Sequence, residues 1–156
     1  MRRRRKSQAG LTLVELIVAF TIMMVLSGMA VPLARSKIRR ERERQLRMSL
    51  VEMRKAIDRY KDMADQGQLG QLKMETNGYP ETLDALVDGV KVSGKVDQKI
   101  RFLRRIPKDP FTNSTEWGIR STQDEPKSSA WGGQNVFDVY SKTTEKAKDG
   151  TPYSEW

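Results

Sequence analysis

The sequence contains neither cysteine nor histidine. Without cysteine no disulfide can stabilise the fold, and without histidine the chain lacks the commonest general base and metal ligand of proteins. Its Asp and Glu residues show no paired spacing typical of a catalytic scaffold, so the sequence favours a protein that is not an enzyme. Only 37% of the residues are hydrophobic and 7% are aromatic. We therefore expect a single small hydrophobic core.

The net charge of +9 is concentrated at one end of the chain. Residues 2–6 read RRRRK, and without these five cations the chain keeps 24 basic and 20 acidic residues, a net charge of +4. Because about half of the excess charge lies in this short leader, the charge gives little support to nucleic-acid binding as the function. A basic cluster before an apolar segment instead indicates an N-terminus held on the cytoplasmic side of a membrane.

One apolar segment is long enough to place the protein in a membrane. Residues 11–31 read LTLVELIVAFTIMMVLSGMAV, and Glu15 is the only charged residue among them. As a helix, this segment would be about 30 Å long, which matches a bilayer core. An ionised carboxylate inside hydrocarbon is costly unless it is paired, so Glu15 is a functional candidate. A plain signal anchor and a signal peptide cleaved before Val31 are the alternative interpretations.

The residues around the leader junction resemble the class III signal of type IV pilins and type II secretion pseudopilins. The resemblance rests on QAGLTLVE at 8–15 and the apolar residues that follow. It implies that prepilin peptidase removes a leader, 1–10, between Gly10 and Leu11, and that the new amine of Leu11 is methylated. Glu15 becomes the fifth mature residue, where the family keeps an acid thought to neutralise the amine of an adjacent subunit during assembly.

The apolar helix is predicted to continue as a soluble half over residues 32–66. Proline removes a backbone hydrogen bond and clashes with the preceding turn, so a kink is expected at Pro32. Residues 35–47, RSKIRRERERQLR, carry charge on nearly every face of the helix. A stripe with alternating steps of four and three follows and predicts a buried face; it consists of Leu46, Leu50, Met53, Ile57, Tyr60 and Ala64. Gly67 suits the position just past the helix end.

A small globular region is predicted over residues 67–156. Its expected elements are a short helix at 79–87, a proline-fixed turn at 106–111, and antiparallel strands at 116–122 and 135–140, with a loop at 124–133. Trp117, Trp131 and Trp156 are predicted to anchor the core. The fold class is thus α+β and pilin-like, with a long N-terminal helix, transmembrane in its first half, packed against a small antiparallel sheet.

Two elements of the globular region resemble those of G-type major pseudopilins. They are YPETLDALV at 79–87 and IPKDPF at 106–111. The absence of cysteine also favours this branch, because typical type IVa pilins close a C-terminal loop with a disulfide. G-type pseudopilins commonly bind calcium in that loop. Here the loop has three lysines and only two acids, Glu145 and Asp149, so calcium is a possible cofactor with Asp149 as its best ligand candidate.

The resemblance implies a structural subunit of a type II secretion pseudopilus, which polymerises through its N-terminal helix in the periplasm to drive protein export. It implies an inner-membrane protein with one membrane pass and a periplasmic globular region. The implied partners are other copies of the chain, minor pseudopilins, the inner-membrane secretion platform and prepilin peptidase. The alternatives are a type IV pilin for adhesion, motility or DNA uptake, and a monomeric membrane-anchored binding protein.

Overall fold

The computed structural model describes residues 12–95 and 98–156, and of residues 29–33 it describes the backbone only. The chain divides into two compact units, Met1–Glu41 and Arg42–Trp156. Helix α1, Leu13–Asp65, contributes residues to both units. It continues through position 32. The side chain of Pro32 is not among the parts of the chain that the structure describes, so the kink expected at this residue stays a prediction.

The core of the second unit forms along one face of α1. Leu46, Leu50 and Met53 are at most 1% exposed, and Ile57 and Tyr60 continue the same buried face. These side chains confirm the predicted stripe. Apolar side chains from the rest of the unit complete the core, among them Leu83, Leu86, Leu103, Trp117, Val136, Val139 and Tyr153.

Helix α1 ends where the glycine signal places it. Gly67 has a φ of 66°, a left-handed conformation that glycine adopts without steric cost. Its amide donates to the Ala64 carbonyl at 3.0 Å, and the Gln68 amide donates to the Met63 carbonyl at 2.9 Å. This pair of bonds is a Schellman motif, which satisfies carbonyls left without partners at the helix end.

The second helix, α2, spans Leu83–Asp88 and begins later than the predicted start at Tyr79. The Thr82 hydroxyl accepts the Ala85 amide at 3.3 Å and caps the helix. Pro80 therefore precedes the helix and does not lie in its first turn; its carbonyl accepts the Val136 amide at 2.8 Å. The capping threonine determined the start, and sequence reasoning gave too much weight to the proline.

Two short antiparallel ladders complete the second unit. Strand β1, Val90–Lys91, pairs with β2, Lys99–Ile100, and β3, Gly118–Arg120, pairs with β4, Asp138–Tyr140. The β3–β4 ladder lies inside the two predicted strands and confirms that pairing. Sequence reasoning missed β1 and β2, because two-residue strands are too short to show periodicity. The α+β class, with a long N-terminal helix and small antiparallel sheets, is thus confirmed.

Hydrogen bonds of the turn at 106–111 and of two tryptophans hold the loops of the second unit in place. Asp109 is 1% exposed; its carboxylate accepts the Phe111 amide at 2.8 Å and the Ser141 hydroxyl. Trp117 is a core residue, as predicted, and its indole donates to the Pro107 carbonyl at 2.9 Å. The core role predicted for Trp131 is wrong: this side chain is 42% exposed and its indole donates to the Asn135 carbonyl within a loop.

Candidate assembly site

The N-terminus of α1 carries a capped acidic turn. The Thr12 hydroxyl accepts the Glu15 amide at 3.3 Å, and the Thr12 carbonyl accepts the Leu16 amide at 3.2 Å. Threonine followed three residues later by glutamate is the pattern of a capping box. The first turn therefore fixes the backbone of Glu15 and places its carboxylate at the positive end of the helix dipole.

The Glu15 side chain is exposed and is the acidic residue of the first turn. It makes no ion pair with any residue in the part of the chain that the structure describes. A carboxylate on an apolar helix is costly in hydrocarbon unless a cation lies beside it. A partner outside the described residues, or on another molecule, would supply that cation.

The apolar side chains around Glu15 are also uncovered. From Leu13 to Leu26 the large apolar residues are between 45% exposed, at Leu16, and 76% exposed, at Met24. The Thr21 hydroxyl donates to the Ile17 carbonyl at 2.8 Å, so this polar group is satisfied within the helix. Exposed apolar patches of this kind mark a surface that contacts lipid or another protein.

Three of the predicted positions cannot be described at the side-chain level. Gly10 and Leu11, the predicted processing site, lie outside the described residues, and so does the side chain of Pro32. The predicted membrane segment, 11–31, likewise extends beyond the fully described residues at both ends. Among the described residues, none of the helices combines the length and the apolar character needed to cross a membrane.

The loop that carries Asp149 is closed by its own hydrogen bonds. The Thr151 amide donates to the Asp149 carboxylate at 2.9 Å, and this bond is the main reason that the pKa of Asp149 lies below its ordinary value. The Ala147 amide donates to the Thr151 carbonyl at 2.8 Å, and the Gly150 amide donates to the Ala147 carbonyl at 3.0 Å. Three oxygens of this loop, one from the Asp149 carboxylate and the carbonyls of Ala147 and Thr151, thus accept backbone amides.

Calcium takes six to eight oxygen ligands, and three oxygens of this loop already accept backbone amides. In residues 12–95 and 98–156, no group of three or more acidic, histidine or cysteine side chains could hold a metal ion. Asp149 is exposed, and Lys146 and Lys148 are near it in sequence. The assignment of Asp149 as a calcium ligand stays a prediction, and the geometry of the loop gives it no support.

A group of arginines, which sequence reasoning missed, holds the last residues of the chain. Arg54 donates to both carboxylate oxygens of Asp138 and to the Trp156 carbonyl at 2.7 Å. The Arg47 guanidinium lies 3.9 Å from the Trp156 ring centroid. Arg120 donates to the Ser154 carbonyl at 3.1 Å. We call Arg47, Arg54 and Arg120 the arginine clamp.

One sequence signal could have identified part of the clamp. Arg54 is four residues after Leu50 and three before Ile57, so it borders the buried stripe and can reach what packs there. Tyr153 belongs to the same C-terminal tail. Its side chain is fully buried, and its hydroxyl donates to the Glu43 carboxylate at 2.8 Å. The clamp therefore fixes the tail against α1 by hydrogen bonds and ring contacts.

Two comparisons with known proteins found matches to this chain. Residues 5–31 match the prokaryotic N-terminal methylation motif. The type II secretion system core protein G of Klebsiella michiganensis is 30% identical over 114 residues, which cover 69% of this chain and 71% of that relative. No solved structure shows significant similarity to the chain.

Together with this relative, the methylation motif and the helix-plus-sheet fold define a pseudopilin, a structural subunit of a pseudopilus. The chain belongs to the family of the type II secretion system core protein G. The predicted family and its structural function are confirmed by these two matches.

Proposed function

We propose that this pseudopilin polymerises through the first half of α1 into a periplasmic filament of a type II secretion system and so drives protein export. The observation that carries the proposal is the exposed apolar stretch Leu13 to Leu26, in which Glu15 has no ion-pair partner among the described residues. Such a surface is incomplete in one isolated copy of the chain.

Processing creates the missing partner. Prepilin peptidase cuts between Gly10 and Leu11, and the freed Leu11 amine is methylated and keeps its positive charge. In low dielectric, opposite charges attract far more strongly than in water. The Glu15 carboxylate of one subunit therefore pairs with the Leu11 amine of an adjacent subunit as the helices stack. The methylation motif over residues 5–31 supports this sequence of events.

Residues 11–31 hold the unassembled protein in the inner membrane, with the second unit in the periplasm. The protein is a substrate of prepilin peptidase and not itself an enzyme. Minor pseudopilins and the inner-membrane secretion platform are its further partners. This arrangement needs no nucleic acid, in keeping with the small net charge that remains after leader removal.

Mass spectrometry of the membrane-extracted protein tests the processing step. We expect a mature chain that begins at Leu11 and carries one methyl group on its amine. Replacing Gly10 by a bulky residue, with Gly28→Ala as the matched control, should leave the full-length form in the membrane. A mature chain that begins at Val31 would refute the proposal and establish a secreted protein.

Overproduction of the chain with and without the secretion machinery tests the filament. Filaments that depend on the type II secretion platform are expected. Filaments that form only with a type IV pilus machinery would identify a type IV pilin. A processed chain that stays monomeric under both conditions would identify a membrane-anchored binding protein.

A further inference from the structure

A cationic segment follows the apolar stretch of α1. Arg35, Lys37 and Arg40 are exposed, and none of them makes an ion pair with a residue of the described ranges. Residues 35–40 read RSKIRR and contain no acid. We call Arg35, Lys37 and Arg40 the cationic collar. All three lie within the first compact unit and outside the packed core of the second.

With segment 11–31 inserted in the membrane as proposed, the collar lies at the depth of lipid head groups. At about 1.5 Å per residue, Arg35 lies about 6 Å and Arg40 about 14 Å beyond the end of segment 11–31. The head-group layer extends about 5–8 Å beyond the hydrocarbon, and electrostatic attraction reaches about 8 Å further at physiological salt. Long basic side chains also extend toward the head groups. All three cations are therefore within reach of lipid phosphates.

The cations of the collar lie on two opposite sides of the helix and do not form one face. Successive residues of a helix are about 100° apart, so Lys37 lies about 200° and Arg40 about 140° around the axis from Arg35. Lys37 and Arg40 are thus only about 60° apart, on the side of the helix opposite Arg35. A contact with one neighbouring helix would need charges on one side only. Charges on two opposite sides match an environment that surrounds the helix, as a lipid head-group layer does.

We propose that the cationic collar binds the phosphate groups of anionic phospholipids in the membrane leaflet on the side of the globular unit. The inference rests on the proposed insertion of segment 11–31. Once the leader has been removed, Arg35 and Lys37 of the collar are the basic side chains nearest to the apolar segment. It therefore holds the mature monomer at the membrane surface until it enters the filament.

A second copy of the chain fits the collar less well than lipid does. Another copy at the same depth would present the same three cations, and like charges repel. The nearest acids in the sequence, Glu41 and Glu43, already interact with other groups of the chain. Lipid phosphates supply the anions that the neighbouring sequence does not.

The test measures lipid retention by the mature full chain in detergent. Native mass spectrometry would compare phosphatidylglycerol with phosphatidylcholine for the wild type and for R35Q/K37Q/R40Q. The control, K91Q/K95Q/K99Q, removes three exposed lysines of the second unit and thus the same charge. Juxtamembrane cations contribute roughly fivefold each, so the wild type should prefer phosphatidylglycerol by up to about a hundredfold. The collar variant should lose most of this preference, and the control should keep it.

Flotation with vesicles separates failure of the collar from failure of membrane insertion. A chain that floats with neutral and anionic vesicles but shows no lipid preference would overturn the collar proposal alone. A chain that floats with neither would overturn the proposed insertion as well. If the collar variant keeps its preference for phosphatidylglycerol yet no longer assembles, the collar is a contact between subunits and the proposal is wrong.

Discussion

At the scale of single residues, the arginine clamp decides how the end of the chain is held. Arg120 is only 7% exposed, and a buried cation is tolerated when hydrogen bonds and an opposite charge satisfy it. Its guanidinium donates to the Ser128 carbonyl at 3.0 Å, lies 3.6 Å from the Asp138 carboxylate and stacks 4.0 Å from the Tyr140 ring centroid. One side chain thus joins a loop, a strand and the C-terminal tail.

Replacing Arg120 by Ala should destabilise the protein measurably. The change removes the charged donor of the Ser128 and Ser154 carbonyls, and a hydrogen bond to a charged group contributes about 1.5–3 kcal/mol. Asp138 keeps its bond to Arg54, which limits the loss. Thermal unfolding of the full chain in detergent should therefore show a lower Tm. The control is Arg104→Ala, an exposed cation whose loss should change stability by less than about 0.5 kcal/mol. Equal Tm values for the two variants would contradict a structural role for Arg120.

At the scale of elements, α1 changes its environment along its length. Around Leu46 to Tyr60 it provides one buried face for the core, and around Leu13 to Leu26 its apolar side chains are exposed. The segment from Leu46 to Tyr60 is therefore stabilised within its own chain. The segment from Leu13 to Leu26 requires lipid or other subunits, because exposure of so much apolar surface to water is unfavourable.

The Ile57→Ala variant tests the buried face of α1. Ile57 is 1% exposed, and loss of a buried branched side chain costs about 2–5 kcal/mol through lost transfer energy and the cavity left behind. That is a large share of the stability of a small domain. Denaturant unfolding should show a clear fall in midpoint. Val51→Ala, at a site that is 48% exposed on the same helix, should leave the midpoint almost unchanged. A midpoint for Ile57→Ala like that of Val51→Ala would show that the face does not support the core.

Sequence patterns predicted the elements whose signals are local. The stripe from Leu46 to Tyr60 shows helical periodicity, and Gly67 has the conformation that ends a helix, so both predictions were correct. The predicted start of α2 was wrong because two helix-start signals, Pro80 and the capping residue Thr82, are only two residues apart. Strands β1 and β2 have too few residues to form a pattern.

The arginine clamp could not be predicted because its contacts are distant in sequence. Arg54 and Trp156 are 102 residues apart along the chain. No spacing rule joins them; only the folded core brings α1, β4 and the tail together. For the assembly site, by contrast, the local pattern identified Glu15, which lies in the first turn of α1, whereas the Thr12 cap was missed and the role of Glu15 in assembly stays a prediction.

At the scale of the whole molecule, the two units have different requirements. The second unit buries its own core and closes its C-terminal loop with internal hydrogen bonds, so its core is formed within one chain. The first unit leaves an apolar surface, and an acid with no ion-pair partner among the described residues, at its N-terminal end. These two features support our proposal that Glu15 drives polymerisation.

Replacing Glu15 by Ala tests that proposal. The variant should insert into the membrane as well as the wild type or better, because the change removes a charge from the apolar segment. It should assemble poorly, since the Leu11 amine of the adjacent subunit loses the carboxylate that neutralises it in low dielectric. Glu15→Asp keeps the charge on a shorter side chain and should have a milder effect. Sedimentation of sheared filaments and export of a secreted protein would measure assembly, and carbonate extraction would measure insertion. If Glu15→Ala forms filaments at the wild-type yield, the carboxylate does not drive assembly, and the anchored monomer becomes the better interpretation.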